Sequence, residues 1–327
     1  MAQISVFAML MDPNGGRREI GWQDIRKWQP DAGLLWLVGR PDGEETQRWL
    51  RRESNLVPEV TTTLLRNDNR PQCTFFRDGV LLCLRAASHA PQRSQDEMAA
   101  INLWIDPHRL IVIRSAPVLV FDELRTDVKL DHSPLTGIGD LLALIVQRIT
   151  TRIEPLLIAI DDQIDEMEDS ILLEPNLDLQ QHLVALRHRI IRLRRHLVPQ
   201  HEALSLFRNR RLAWLTDASR QSLIEEHSQM HQYLGDLDSM RERALLMQDE
   251  IAQLQNRKLN ETMKIVAVFT AYLMPMNAIT SLLGTNIEGI PGQAGTETPF
   301  GFFFEVAGLL LVLLVSYFIF KRLKWFD

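Results

Sequence analysis

The chain has 327 residues, a formal net charge of −6 and a mean hydropathy of −0.09, in which many charged residues offset two apolar C-terminal segments. An acidic chain repels nucleic acid, so we expect no nucleic-acid partner. No P-loop, nucleophile elbow or H-E-x-x-H motif is present, and the residues therefore give no support to an enzyme.

Residues 1–150 are predicted to form an α/β domain. The strand candidates alternate apolar and polar residues or run apolar throughout: "ISVFAML", "GLLWLVG", "CTFFRDGVLLCLRA" and "AAINLWIDPHRLIVIRS", the last two folded back at "RDG" and "DPHR". Helices are predicted at "EETQRWLRRE", "PEVTTTLLRN" and "SPLTGIGDLLALIVQRI". Without a signal peptide, Cys73 and Cys83 are expected to be reduced thiols rather than a disulfide.

Residues 151–218 are predicted to form a helical hairpin and a connector. The segment Ile158 to Glu174 has seven acids and no base, and Arg187 to His196 has five arginines and no acid. An antiparallel pair would bring these opposite charges face to face, where exposed ion pairs set register more than stability. Two other interpretations stay open for the acidic helix: a solvated face, or a surface that attracts cations toward a pore.

Residues 219–263 are predicted to form a long stalk helix. Its apolar residues recur every three, four or seven positions, a period typical of helices that supercoil on copies of themselves or on neighbours; they are Met230, Leu234, Leu237, Ala244, Met247, Ile251 and Leu254. On the same helix His227 and His231 are four positions apart, with Glu226 beside them. That spacing allows both imidazoles to share one metal ion, although it is also common among solvated histidines.

Two apolar segments are predicted to cross a membrane, as residues 264–284 and 300–320. The stretch from Ile265 to Leu283 contains no charged residue, and the stretch from Phe300 to Phe320 contains only Glu305. A helix of either length covers a hydrocarbon core of about 30 Å. The alternative is a pair of buried core helices.

The flanking charges predict the orientation. Basic residues precede the first segment and follow the second, in the tail 321–327, whereas the loop 285–299 has none; they are Arg257, Lys258, Lys264, Lys321, Arg322 and Lys324. Positive residues stay in the cytoplasm, so both termini and the α/β domain are expected inside and the loop outside.

One side of the first membrane segment collects its polar residues. At about 100° per residue, six side chains fall within an arc of about 80°; this polar arc consists of Met263, Val266, Thr270, Met274, Asn277 and Ser281. The Asn277 amide needs a protein or water partner. The arc is compatible with a pore lining and with packing between helices.

The Gly284-Thr285-Asn286 stretch, followed by "IPG" at Ile290 to Gly292 and a second segment ending in "KRLKW", resembles the G-x-N loop of the CorA metal-ion transporter family. "AINLWIDPHRLIVIRS" and "RRHLVPQHEAL" are similar to its ZntB zinc-transporter branch. Glu288 stands where the family more usually has glycine, and it adds a charge at the loop.

The resemblance implies a homopentameric funnel in the bacterial inner membrane. The first membrane helix would line the pore, and Gly284, Thr285, Asn286 and Glu288 would form its outer mouth. It also implies Zn²⁺ as the transported substrate, with no resident cofactor; Mg²⁺, Co²⁺ and Ni²⁺ are the alternatives because the polar arc lacks the imidazole and thiolate ligands that zinc prefers. A membrane-tethered coiled-coil sensor that conducts nothing is the rival from another class.

Overall fold

The computed structural model describes residues 6–12, 16–88, 98–130, 135–173, 177–208, 210–283 and 300–322. The chain divides into two compact units, Met1–Gln248 and Asp249–Asp327. Both cysteines are free thiols; burial raises the pKa of Cys73 to about 12 and that of Cys83 to about 11, which leaves both unreactive.

The first unit is built on one seven-stranded sheet. Its strands are β1 (Phe7–Met11), β2 (Arg17–Ile20), β3 (Leu34–Gly39), β4 (Gln72–Phe75), β5 (Val80–Ala87), β6 (Met98–Ile105) and β7 (Arg109–Arg114). They are arranged in the order β2-β1-β3-β7-β6-β5-β4. All neighbouring strands are antiparallel except the central pair β3 and β7, which is parallel.

Helices cover both faces of this sheet, so its inner strands are apolar on both sides. Alternate strand residues such as Leu82 and Val112 join a core with α4 (Leu119–Lys129), α5 (Ile138–Thr151) and the end of α7 (Leu177–Arg208). The other alternates, such as Leu81 and Ile111, pack with α1 (Trp22–Lys27), α2 (Glu44–Arg52) and α3 (Pro58–Leu64). The predicted α/β domain is therefore confirmed.

The remaining helices are α6 (Glu154–Leu173), α8 (Asp217–Leu283) and α9 (Phe300–Arg322). Helix α8 is continuous over 67 residues and contains Pro275. Among the residues that the structure describes, no helical stretch is long and apolar enough to cross a membrane. The domain boundaries given above stay predictions.

The apolar stripe of α8 is core within the first unit. Met230, Leu237 and Ala244 are fully buried, and Met247 is 3% exposed, in the single chain. Between the two interpretations of this stripe, these four residues favour packing on neighbouring helices of the same chain, because copies are not needed to cover them.

Candidate functional site

All six residues of the polar arc lie on α8, and their side chains are exposed in the single chain. The exposed fraction is 53% for Val266 and 70% for Met274. The half-buried side of the same segment carries Val268, Tyr272 and Pro275, which lie on the opposite side of the helix. The arc is thus left uncovered by the described residues of the chain.

Two polar side chains in the arc differ in their hydrogen bonding. The Thr270 hydroxyl donates to the carbonyl oxygen of Val266 at 2.8 Å, so its need for an acceptor is met within its own helix. The Asn277 amide is exposed and has no hydrogen bond within the described residues. In an apolar surrounding such an amide requires water, an ion's hydration shell or a neighbouring chain.

The backbone of α8 supplies one further polar group in this segment. Pro275 has no N–H, so the carbonyl oxygen of Ala271 loses its usual helical donor, although the helix continues through the proline. The predicted mouth residues Gly284, Thr285, Asn286 and Glu288 lie outside the described residues, and their roles stay predictions.

A histidine from another helix joins the predicted metal pair. The ring of His201, on α7, stacks on that of His227 with centroids 4.1 Å apart and planes at 21°, and its centroid is 5.5 Å from that of His231. Burial, followed by the charge of His231, lowers the pKa of His201 and keeps this imidazole neutral. A neutral imidazole is the form that binds metal.

The three rings do not form a finished metal centre. With Zn–N bonds of about 2.0–2.1 Å at tetrahedral angles, the centroids of two ligating imidazoles lie about 5 Å apart. The pair His201 and His231 has this separation, whereas the stacked pair is too close. Within the described ranges, no group of three or more His, Cys, Asp and Glu side chains is arranged to hold a metal ion. The metal pair His227 and His231 stays a prediction.

The acids of α6 are held by a residue that the sequence pattern did not indicate. Arg243 of α8 donates to Asp161 at 2.8 Å and to Glu168 at 2.8 and 3.0 Å, and it also pairs with Asp165. The carboxylates of Glu168 and, after it, Asp165 raise the pKa of the Arg243 guanidinium. The prediction that these acids face arginines of α7 was wrong, because α8 lies beside α6 and supplies the cation.

The comparisons with known proteins agree on the family. The family model described as "CorA-like Mg2+ transporter protein" matches residues 31–322. The chain is 30% identical over 323 residues to the zinc transport protein ZntB of Pectobacterium carotovorum subsp. carotovorum, with 98% of this chain and 96% of that protein covered.

Two further matches point the same way. The divalent cation transporter CmaX of Pseudomonas aeruginosa is 26% identical over 324 residues, with 98% of this chain and 96% of CmaX covered. The structure of full-length CmaX superposes with a TM-score of 0.82 at 25% identity and covers 99% of both chains. The resemblance inferred from the loop motif is confirmed: the chain belongs to the CorA-like Mg²⁺ transporter protein family.

Proposed function

We propose that this chain transports divalent metal cations across a lipid bilayer, with Zn²⁺ as the preferred cargo, through a five-fold pore lined by α8. The observation that carries the proposal is the polar arc, which is exposed in the single chain although it interrupts an otherwise apolar segment. Copies of the chain arranged around an axis would enclose this arc and give Asn277 the polar surroundings it requires.

The apolar surface of the second unit supports a membrane setting in the bacterial inner membrane. Phe269 of α8 is 64% exposed, and Leu311 and Phe318 of α9 are 64% and 59% exposed. Removing one such side chain from water stabilises a protein by about 1.5–3 kcal/mol, so a surface of this kind needs lipid or further copies to cover it. The basic residues before the first segment and after the second support cytoplasmic termini.

The chemistry of the arc favours passage of a hydrated ion. The arc offers amide and hydroxyl oxygens and no carboxylate, imidazole or thiolate, so it cannot replace the water that a divalent cation holds. In the proposed pore, Asn286 and Thr285 contact the hydration shell at the mouth, and Glu288 raises the local cation concentration. Met263 and Met274 form apolar constrictions that exclude water when they close.

Zinc is proposed as cargo because of the relatives named for zinc transport, one of them 30% identical to this chain. Mg²⁺, Co²⁺ and Ni²⁺ remain the alternatives. The test is metal flux into proteoliposomes, with each cation offered in turn and the pH gradient varied.

Two threonines provide a matched pair for this test. Thr270 lies in the arc, whereas Thr280 lies about 80° from its centre on the same helix. We expect Thr270→Val and Asn277→Ala to change flux or selectivity at least fivefold, and Thr280→Val to change neither. Asn286→Ala tests the mouth in the same assay. A non-conducting sensor predicts no flux from the parent protein, and equal effects at both threonines would contradict the pore-lining assignment.

We also propose that His227 and His231 bind a regulatory metal ion, with His201 as a third imidazole. The close approach of the three rings supports this proposal, and one ring must rotate before all three can share an ion. Zinc titration calorimetry on the full chain tests it: the double variant His227→Ala, His231→Ala should lose one binding event, and an unaltered isotherm would dismiss the site.

A further inference from the structure

The outward side of α6 carries a stripe of acids that make no ion pair within the described residues. Asp162, Glu166 and Asp169 are exposed, and they follow Ile158, which is 54% exposed, along one face of the helix. We call these four residues the acidic stripe. Asp161, Asp165 and Glu168 lie on the adjacent side of the helix and are bound to Arg243, so they do not belong to this stripe.

The outward side of α7 carries a stripe of the opposite charge. Val184 is 49% exposed, and His188, Arg192 and Arg195 are exposed on the same face. Neither Arg192 nor Arg195 has an ion pair among the described residues. We call these four residues the basic stripe; Ile191, also 49% exposed, lies beside it.

The two stripes have the same spacing along their helices. In each, one apolar residue is followed by polar residues four, eight and eleven positions later. Both stripes therefore extend over about 16 Å and curve around the helix by the same angle. The polar residues of each stripe span seven positions, or about 10 Å, and the two sets carry opposite charge, so the stripes are electrostatically complementary.

Within the described residues, neither stripe is paired with charged side chains of the same chain. Arg194, which points toward α8, is bound to Asp238, and Arg189 donates to Gln163 of α6 at 2.6 Å. The side chains that join α6 and α7 to their neighbours in the chain are thus already engaged, and the two stripes lie on the sides that remain exposed.

We propose that the acidic stripe of one copy docks on the basic stripe of the next copy. This inference rests on the homopentamer proposed above and names the surfaces that would form it. A contact between two different patches is heterologous, and repeated around an axis it closes into a ring. An antiparallel alignment that overlaps residues 162–169 with residues 188–195 places Asp162 opposite Arg195, Glu166 opposite Arg192 and Asp169 opposite His188. Ile158 and Val184 then lie at opposite ends, outside this overlap.

Charge reversal of the full chain in lipid nanodiscs tests the contact. Asp162→Arg with Glu166→Arg, or Arg192→Glu with Arg195→Glu, should raise the protein concentration needed for assembly at least tenfold. Combining all four substitutions restores opposite charges, and assembly should return to within threefold of the parent protein. Native mass spectrometry measures the oligomer, and circular dichroism checks the fold.

The control reverses two exposed charges away from both helices, Arg18→Glu with Asp31→Arg, and should leave assembly unchanged. A second measurement covers the case in which a reversed variant does not fold. Asp162→Cys with Arg195→Cys should give an oxidative ladder of linked chains in denaturing gels, whereas linkage within single chains only would overturn the proposal.

The inference and the function on which it rests can fail separately. If the variants with two reversed charges assemble like the parent protein while the parent transports metal, the proposed interface is wrong and the proposed transport function stands. A fourfold variant that fails to recover would also reject the interface. A parent that assembles through the stripes but carries no metal would reject the transporter alone.

Discussion

Replacing Arg243 with Met should lower the free energy of local unfolding of α6 by about 2 kcal/mol and leave the sheet intact. The Arg243 side chain is 31% exposed and its three carboxylate partners are 42–63% exposed, so solvent screens each pair. Exposed pairs contribute about 0.2–1 kcal/mol each. Removing the guanidinium also leaves three like charges on successive turns, and each such neighbour pair costs about 0.2–0.5 kcal/mol. Methionine retains the apolar stem, so the loss reports the charge.

Amide hydrogen exchange along residues 154–173 of the full chain measures this loss. A free-energy change of about 1.4 kcal/mol changes an equilibrium constant tenfold, so amide exchange through local opening of α6 should accelerate about 10–30-fold. In 1 M salt the difference should shrink, because the Debye length falls to about 3 Å. Arg241→Met is the matched control, since Arg241 is exposed on the same helix without an ion pair among the described residues. Equal exchange in the two variants, or an acceleration that salt does not reduce, would refute the reasoning.

Three further perturbations test the first unit, each followed by thermal unfolding of the full chain. Burial, and then the charges of Arg85 and Arg195, lower the pKa of His196 to about 4. As the pH falls, the unfolded state therefore binds a proton on His196 at a higher pH than the folded state does. The free energy of unfolding should fall by about 1–2 kcal/mol between pH 6.5 and 4. His196→Gln should remove most of that pH dependence, and a parallel loss in both proteins would contradict the assignment. Asn102→Ala should destabilise the protein by about 2–4 kcal/mol, because the buried side-chain amide donates to the carbonyl oxygens of Leu64 and Arg66 at 3.0 and 2.9 Å. The control is Asn67→Ala, since the Asn67 side chain is exposed. Gly79→Ala should destabilise the protein by about 1–3 kcal/mol, because the new Cβ would lie 2.6 Å from the Ile105 carbonyl oxygen. In its control, Gly235→Ala on α8, the new Cβ has no atom within 4 Å, and the substitution should stabilise the protein. An unchanged unfolding temperature for Gly79→Ala would contradict this account.

The sequence predicted the features that depend on local periodicity. The β5–β6–β7 strands and helices α2, α3 and α5 follow from apolar alternation and helical spacing, and the polar arc follows from the geometry of one helix. The strand β2 and the helix α1 did not stand out, because they are short and expose several charged side chains. The helix α4 was missed although four of its apolar residues, Val120, Phe121, Leu124 and Val128, are buried.

Features that depend on the alignment of two helices were not predictable from one sequence. His201 lies on α7 and His227 on α8, and no spacing rule connects residues of separate helices. The partner of the α6 acids was misassigned for the same reason: opposite charges in consecutive segments indicate that pairing is possible, but the rotation of each helix decides which cation the acids meet. The mouth residues 284–288 lie outside the described residues, and their role stays a prediction.

The uninterrupted length of α8 restricts how its gene can change. Every residue inserted between Ile251 and Thr270 would turn all later side chains of the helix by about 100° relative to the earlier ones. A single codon gained or lost there would swing Asn277 away from its direction while leaving composition and hydropathy almost untouched. Seven codons would restore the direction to within about 20°, so length variation in this stretch is tolerable only in such steps.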